Sequence, residues 1–289
     1  MNAVAENVRN LASVGAYPRA ITDCLNYGNP EIPEHLWALE QGVLGISTSA
    51  KALGFDDEAI PVISGNVSLY NATKDGPVDP TANICLIGTM PDASKSVDMR
   101  IKSAGSKLYL VGDRKDECGA SAYYSILENL TGSPTNALLG ANVPDPDFAL
   151  TLRESKAVAD AVRLGLVSSA HDISEGGLLL AVFEMMQPVR GIGGGIGVHL
   201  DLSDLRTDLR TDVLLFSETG GFVVEVPEEN VSAFEKHCKK TLVSCTCIGT
   251  TTAEPLLYVD RDRTELLSEE LSVLHSLWSS ALDRAIMSL

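Results

Sequence analysis

The sequence predicts an α/β chain built as two domains, the first smaller than the second. Three observations carry this. Short apolar runs of strand length alternate with longer segments of helical period along the chain. Apolar residues make up 45% and charged residues 21% of the 289 positions, the composition of a folded globular protein long enough for one or two domains. A polar stretch, residues 91–106, separates a first set of elements from a second that restarts at Lys107. The boundary is placed near residue 102, giving domains 1–102 and 103–289.

Residues 3–15 read as a helix, with Ala3, Val4, Val8, Leu11, Ala12 and Val14 on an apolar face and Gly15 as the stop. Residues 20–25 read as a strand. Residues 33–53 read as a long helix with Pro33 in its first turn, where a missing N–H costs nothing. Residues 60–64 read as a short buried strand and 83–89 as another. In the second part, 108–112 reads as a buried strand, and helical period follows at 120–130 and 149–164. A helix is expected at 178–186. Strands are expected at 198–202, 213–217, 221–226 and 242–250, and helices at 228–240 and 269–287. The glycine-rich run 191–197 lacks a following Gly-Lys-Ser/Thr and reads as a flexible loop.

The formal charge is −17, from 39 acidic and 22 basic residues. Such a chain is poorly suited to a nucleic-acid backbone, although backbone N–H groups and metal ions can still hold phosphates locally. Six scattered cysteines form no CxxC pair, which argues against structural zinc. Cys245 and Cys247 alternate onto one face of a strand-like run and read as packing residues. There is no charged-then-apolar leader and no apolar stretch of membrane-spanning length, so the expectation is a soluble, cytoplasmic chain with reduced thiols.

Four clusters could carry chemistry. The apolar run 60–63 stops abruptly at Ser64, Gly65, Asn66 and Ser68. Glycine admits a close approach, an asparagine oxygen suits a hard cation, and a serine hydroxyl donates or accepts. The same residues also read as an ordinary strand-to-loop turn. Glu6 and Asn10 are four apart on one helix and can reach one Mg²⁺, or can form a solvated face. Asp23 ends a strand-like run and can hold a metal or nucleotide, or cap a turn. His171, Asp172, Ser174, Gly176 and Gly177 open a helix, where free N–H groups attract anions and Asp172 would need a cation between itself and a phosphate. Asp172 or Ser174 can equally be an N-cap, and His171 reads as structural. Residues 217–221 read as a hairpin turn.

The string Gly65-Asn66-Val67-Ser68-Leu69-Tyr70-Asn71 resembles a signature of phosphoribosylformylglycinamidine synthase, synthetase subunit. Residues 5–16 (AENVRNLASVGA), 21–30 (ITDCLNYGNP) and 170–178 (AHDISEGGL) resemble the same family in the same order. The resemblance runs over almost the whole chain. It implies a two-domain architecture like that of aminoimidazole ribonucleotide synthetase, with an incomplete first-domain half-barrel and a larger mixed-sheet second domain.

The resemblance also implies roles. Asp23 and Gly65 match ATP contacts, Asn66 a Mg²⁺ ligand, and Ser68 a contact to formylglycinamide ribonucleotide. Glu6, Asn10 and Asp172 match Mg²⁺ ligands, and Ser174 a nucleotide contact, of an auxiliary site. The implied activity is ATP-dependent amidation of formylglycinamide ribonucleotide in purine biosynthesis, with ATP and Mg²⁺. In the family, a preceding half carries the catalytic histidines, and the matching domain begins with further residues. The chain is therefore expected to be a second half that is inactive alone. Its expected partners are the missing half, a glutaminase subunit, a small bridging subunit and, in isolation, its own copies, with no nucleic acid and no membrane. Two alternatives are a homodimeric synthetase of the same superfamily and a non-catalytic nucleotide-binding module.

Overall fold

The computed structural model describes residues 1–131, 140–187, 195–205 and 208–287. The chain opens in helix α1 (Asn2–Ser13), runs through strand β1 (Tyr17–Asn26) and helix α2 (Pro33–Ala52), and returns as β2 (Val62–Ser68). A small hairpin, β3 (Ala72–Thr73) and β4 (Gly76–Pro77), precedes β5 (Thr81–Thr89). Then follow β6 (Lys107–Val111), α3 (Ala122–Thr131), α4 (Phe148–Arg163), β7 (Ser169–Asp172), α5 (Gly177–Met185) and β8 (Gly197–Asp201). The chain ends with α6 (Thr211–Phe216), β9 (Phe222–Val226), α7 (Val231–Thr241), β10 (Cys245–Thr252), β11 (Leu256–Arg261), β12 (Thr264–Glu270) and α8 (Leu271–Met287).

Two open sheets organise these elements, as the mixed α/β expectation requires. The first has the order β2-β1-β5, with β1 parallel to β2 and antiparallel to β5. The second has the order β12-β11-β8-β10-β6-β9-β7, and only β11 and β8 run parallel. Strand alternation splits the second sheet into two cores. Tyr109, Val111, Phe222 and Val224 pack with α1, α4 and Phe234 of α7. Leu108, Leu110 and Val223 pack with Leu178 and Val182 of α5, Leu214 of α6 and Leu271.

Helix α1 joins the two sheets. Val4, Val8 and Ala12 recur every four residues and face Ala157, Val158, Ala161 and Val162 of α4. The small side chains let the helices approach closely. Burying Val8 alone stabilises by roughly 1.5–3 kcal/mol. The same core includes Ile21 and Leu86 of the first sheet, so apolar packing is continuous across residue 102. Glu225, fully buried on β9, fastens the crossing: its carboxylate accepts from the N–H groups of Lys102 and Ser103 at 2.9 and 3.1 Å and from the Ser169 hydroxyl at 2.9 Å.

Several elements differ from the expectation. Residues 213–217 form helix α6, not a strand. Val213-Leu214-Leu215-Phe216 is a continuous apolar run whose periodicity does not discriminate, and burial against α5 decides it. Residues 217–221 therefore join a helix to a strand and make no hairpin turn. The strand expected at 60–64 lies at Val62–Ser68 and is exposed rather than buried: Val62, Ile63 and Val67 join none of the apolar cores among the described residues. Strands β11 and β12 lie outside the sequence expectation: β11 carries the strand-like run Leu256-Leu257-Tyr258-Val259, while β12 is acidic and takes its conformation from pairing with β11. They turn through Asp262 and Arg263 at φ 52° and 63° with no glycine. The C-terminal helix begins at Leu271 rather than 269. Residues 191–194 of the glycine-rich run lie outside the described residues. Cys245 and Cys247 do share a face and pack, half-buried, on the core. No described helix is long and apolar enough to cross a membrane.

Candidate functional site

A cleft of about 360 Å³ opens where α1, the loop after β6, the starts of α3 and α4, and the loops before α5 and β9 meet. Eight carboxylates line it (Glu6, Asp113, Glu117, Asp145, Asp147, Glu154, Glu175, Glu218) against two cations, Arg9 and Lys115. Such a wall repels a bare polyphosphate and favours one that arrives with its own cation.

Arg9 is the centre of the charge pattern. It is 7% exposed, and its Nε has no hydrogen-bond partner. Burial lowers its pKa, while Asp172, Glu6 and Glu154 oppose that shift. Gly220 makes room for it: a Cβ there would meet an Arg9 guanidinium nitrogen at 2.5 Å. Glu6, half-buried three residues earlier on α1, has its pKa raised by burial and then by Asp172, with Arg9 acting the other way.

Asp172 ends β7 at 2% exposure. His171 beside it is held between two carboxylates, with Nδ1 3.2 Å from Asp172 Oδ1 and Nε2 3.0 Å from Glu184 Oε2. Burial works to lower the histidine pKa, but the hydrogen bonds to Asp172 and Glu184 prevail and raise it to about 9. As an imidazolium it donates to both, which fixes Asp172 Oδ1 and leaves buried Oδ2 without a partner. An orphaned carboxylate oxygen next to Glu6 is the donor chemistry a hard divalent cation takes. Among the described residues no three His, Cys, Asp or Glu side chains form a metal cluster. Mg²⁺ needs only one or two carboxylates when phosphate oxygens and waters complete its shell, so the residues fit.

Glu154 supplies a pH dependence. It is 4% exposed, and burial, then Asp113, push its carboxyl up from 4.5 to about 7 against Arg9 and Arg153. The folded chain then keeps a proton that the unfolded chain has released, so stability falls as pH rises from 4.5 to about 7 and is flat above. The wild-type chain is expected to lose about 2–3 kcal/mol between about pH 5 and pH 8 through this group. Urea unfolding at both pH values should show Glu154→Gln losing much less. Equal losses in the two proteins would refute the assignment.

The structure thus brings Glu6, Asp172 and Ser174 into one region, with Glu6 and Ser174 on the cleft wall. Asn10 is exposed and does not line the cleft. The other predicted residues lie on the first sheet. Asp23 pairs with Gly65 in register, and a Cβ on Gly65 would meet the Asp23 carboxylate at 2.2 Å. Asp23 also borders a second cavity, about 340 Å³, between β1, β2 and α2. Asn66 and Ser68 pair with Cys24 and Asn26, so alternation puts Asn66 on the opposite face from Asp23, and Ser68 with it. Arg9, Glu154 and Glu218 were not singled out as cleft residues from sequence. Arg9 left a signal at i+3 from Glu6 on the same helix, and Glu218 lay in the 217–221 segment read as a hairpin turn.

The family model described as AIR synthase related protein, N-terminal domain, matches residues 1–90, and that described as AIR synthase related protein, C-terminal domain, matches 103–262. The phosphoribosylformylglycinamidine synthase subunit PurL of Methanothrix thermoacetophila is 38% identical over 287 residues, covering 98% of this chain and 35% of the relative. PurL of Alkaliphilus metalliredigens is 34% identical over 281 residues, covering 97% of this chain and 35% of the relative. The chain therefore spans about a third of the length of these relatives. Among solved structures, Thermotoga maritima PurL complexed with FGAR matches with a TM-score of 0.70 at 20% identity, over 94% of this chain and 42% of that one. A thiamine-monophosphate kinase from Stenotrophomonas maltophilia matches with a TM-score of 0.54 at 17% identity, over 89% of this chain and 76% of that one. These structural likenesses show the fold, and the two matched family models show the family: the chain belongs to the AIR synthase related proteins, in both their N-terminal and C-terminal domains.

Proposed function

We propose that the chain is a portion of a PurL-type synthetase, acting in the ATP-dependent amidation of formylglycinamide ribonucleotide. The observation that carries this is 38% identity to a PurL subunit over 98% of the chain. In this reading ATP phosphorylates the amide oxygen of the substrate, and ammonia from a glutaminase then displaces phosphate to give the amidine. Phosphate leaves far more readily than oxide, which is why ATP is spent. In the first domain, 1–102, Asp23 and Gly65 would contact nucleotide from one face of the sheet, and Asn66 and Ser68 would contact metal and substrate from the other. The second, 103–289, builds with α1 an auxiliary nucleotide site at the acidic cleft. There Asp172 and Glu6 would hold Mg²⁺, which offsets phosphate charge, and Ser174 would touch the nucleotide. Asn10 would join them only after moving toward the cleft.

The partners in this reading are the rest of the synthetase, a glutaminase and a small bridging subunit. The open first sheet, with exposed Val62, Ile63, Val67 and Ile87, supports association of such sheets in pairs, including self-association of the isolated chain. A second reading is a stand-alone homodimer, favoured by the match to 76% of a single kinase chain.

One experiment separates the two. The purified chain, sized by light scattering, is given formylglycinamide ribonucleotide, ATP, Mg²⁺ and ammonia. It is expected to be larger than a monomer and to form no amidine, with activity appearing when the rest of a PurL subunit is added. In that reconstituted enzyme Asn66→Ala or Ser68→Ala should lower the rate about 100-fold or more, and His171→Ala much less. Turnover by the isolated chain, or loss of activity only in His171→Ala, would overturn the assignment.

A further inference from the structure

The connection from Ser217 to Gly221 has no role in the reaction above, yet it places an anion deep in the cleft. Oε1 of Glu218 accepts from the N–H of Ala122 at 3.1 Å and from the N–H of Gly176 at 3.0 Å. Ala122 is the first residue of α3, and Gly176, at φ 80°, is the N-cap of α5. Two helix starts therefore aim amides at one carboxylate oxygen. The positive ends of two helices meeting at one oxygen form an arrangement suited to phosphate. Arg9 points the same way independently. Its buried side chain lines the same cleft and keeps an unpartnered Nε.

The backbone around Glu218 is held firmly while its side chain faces the cleft. Buried Arg114 donates from one guanidinium nitrogen to the Thr219 carbonyl at 2.5 Å and from another to the Ser217 carbonyl. The Ser217 hydroxyl donates to the Lys115 carbonyl at 2.7 Å, and the Thr219 hydroxyl to Glu117 Oε2 at 2.7 Å. With both neighbours pinned, freeing the two amides requires only rotation of the Glu218 side chain.

We propose that Glu218 is an internal phosphate mimic: it occupies a two-amide anion site at the starts of α3 and α5, and a metal-bound phosphate group of the ligand displaces it. The inference rests on the nucleotide reading of the cleft and adds the subsite that takes the phosphate and the group that guards it. A bare anion gains little by replacing one negative charge with another among eight carboxylates. A phosphate that brings its own cation does gain, so the plug selects metal-bound ligands.

Calorimetry with magnesium pyrophosphate tests this on the full chain. Glu218→Ala empties the amides, and Glu218→Gln keeps an acceptor while removing the charge. Pyrophosphate is expected to bind Glu218→Ala about tenfold tighter than wild type, with Glu218→Gln in between. The amide resonances of Ala122 and Gly176 should shift on titration in wild type, which a purely structural Glu218 would not allow. If Glu218→Ala does not fold, Glu218→Gln decides. Unchanged or weaker pyrophosphate binding in Glu218→Gln overturns the inference. Wild-type affinity for magnesium ATP in both variants also overturns it and leaves the nucleotide reading standing. Absence of magnesium ATP binding in every protein removes that reading, and tighter pyrophosphate binding in the variants would still support the anion site.

Discussion

Arg9→Met is expected to destabilise the chain by about 3–5 kcal/mol, the largest single-residue effect anticipated here. Arg9 is 7% exposed, its charge interacting with Asp172, Glu6 and Glu154, and a methionine fills similar volume without charge. What is lost is the cation that lets three carboxylates share a low-dielectric corner. Removing one partner of a buried ionic group costs more than the group contributes as a whole, because the remaining charges stay desolvated. Glu6 and Glu154 already hold their protons more tightly than usual, so they can respond by protonating. The loss should therefore be larger at about pH 8 than at about pH 5, where Glu154 carries its proton. Arg9→Lys keeps the charge without the planar fork and should fall between. Urea midpoints at unchanged slope measure all three proteins. A loss below about 1 kcal/mol at pH 8 would place Arg9 among solvent-screened surface charges and refute this account.

Asp172→Asn is expected to weaken magnesium ATP binding about 100-fold, since loss of groups that merely orient metal ligands already costs 10–100-fold. The substitution preserves shape and the contact at Oδ1, but it replaces the orphaned oxygen with an amide NH₂ group, a donor that does not take a hard cation. Wild-type affinity for ATP should fall similarly in EDTA, and the variant should be nearly indifferent to EDTA. Calorimetry on both proteins with and without the chelator reads this directly. Equal ATP affinity of the wild type in the two conditions would rule out a metal bridge at Asp172.

Much of the fold could be read from the chain alone, for reasons that differ by element. Helix α2 announced itself by length and by Pro33 in its first turn, and β6 by an apolar run bounded by Lys107 and Gly112. Glu6, Asp172 and Ser174 could be named because helix spacing and a glycine-marked helix start are local patterns. Local pattern failed where the answer depended on a neighbour. The run from Val213 to Phe216 is apolar in either conformation, and only burial against α5 makes it helical. Strand β2 is exposed because, among the described residues, its apolar side chains Val62, Ile63 and Val67 meet no core, a property of what packs on the sheet rather than of its residues. Strands β11 and β12 depend on a turn through two non-glycine residues at positive φ, held by the pairing of β11 with β12 and with β8. Pairing register puts Asp23 and Asn66 on opposite faces of the first sheet, a separation that neither motif shows by itself. The site's charge balance is the clearest case. Arg9 lies 163 positions from Asp172 (172 − 9) and Glu218 lies 96 from Ala122, and what they do follows from desolvation and from amides of distant helices meeting at one point. Composition and period specify which segments seek burial, while the electrostatics of a buried cleft exist only after packing has excluded water.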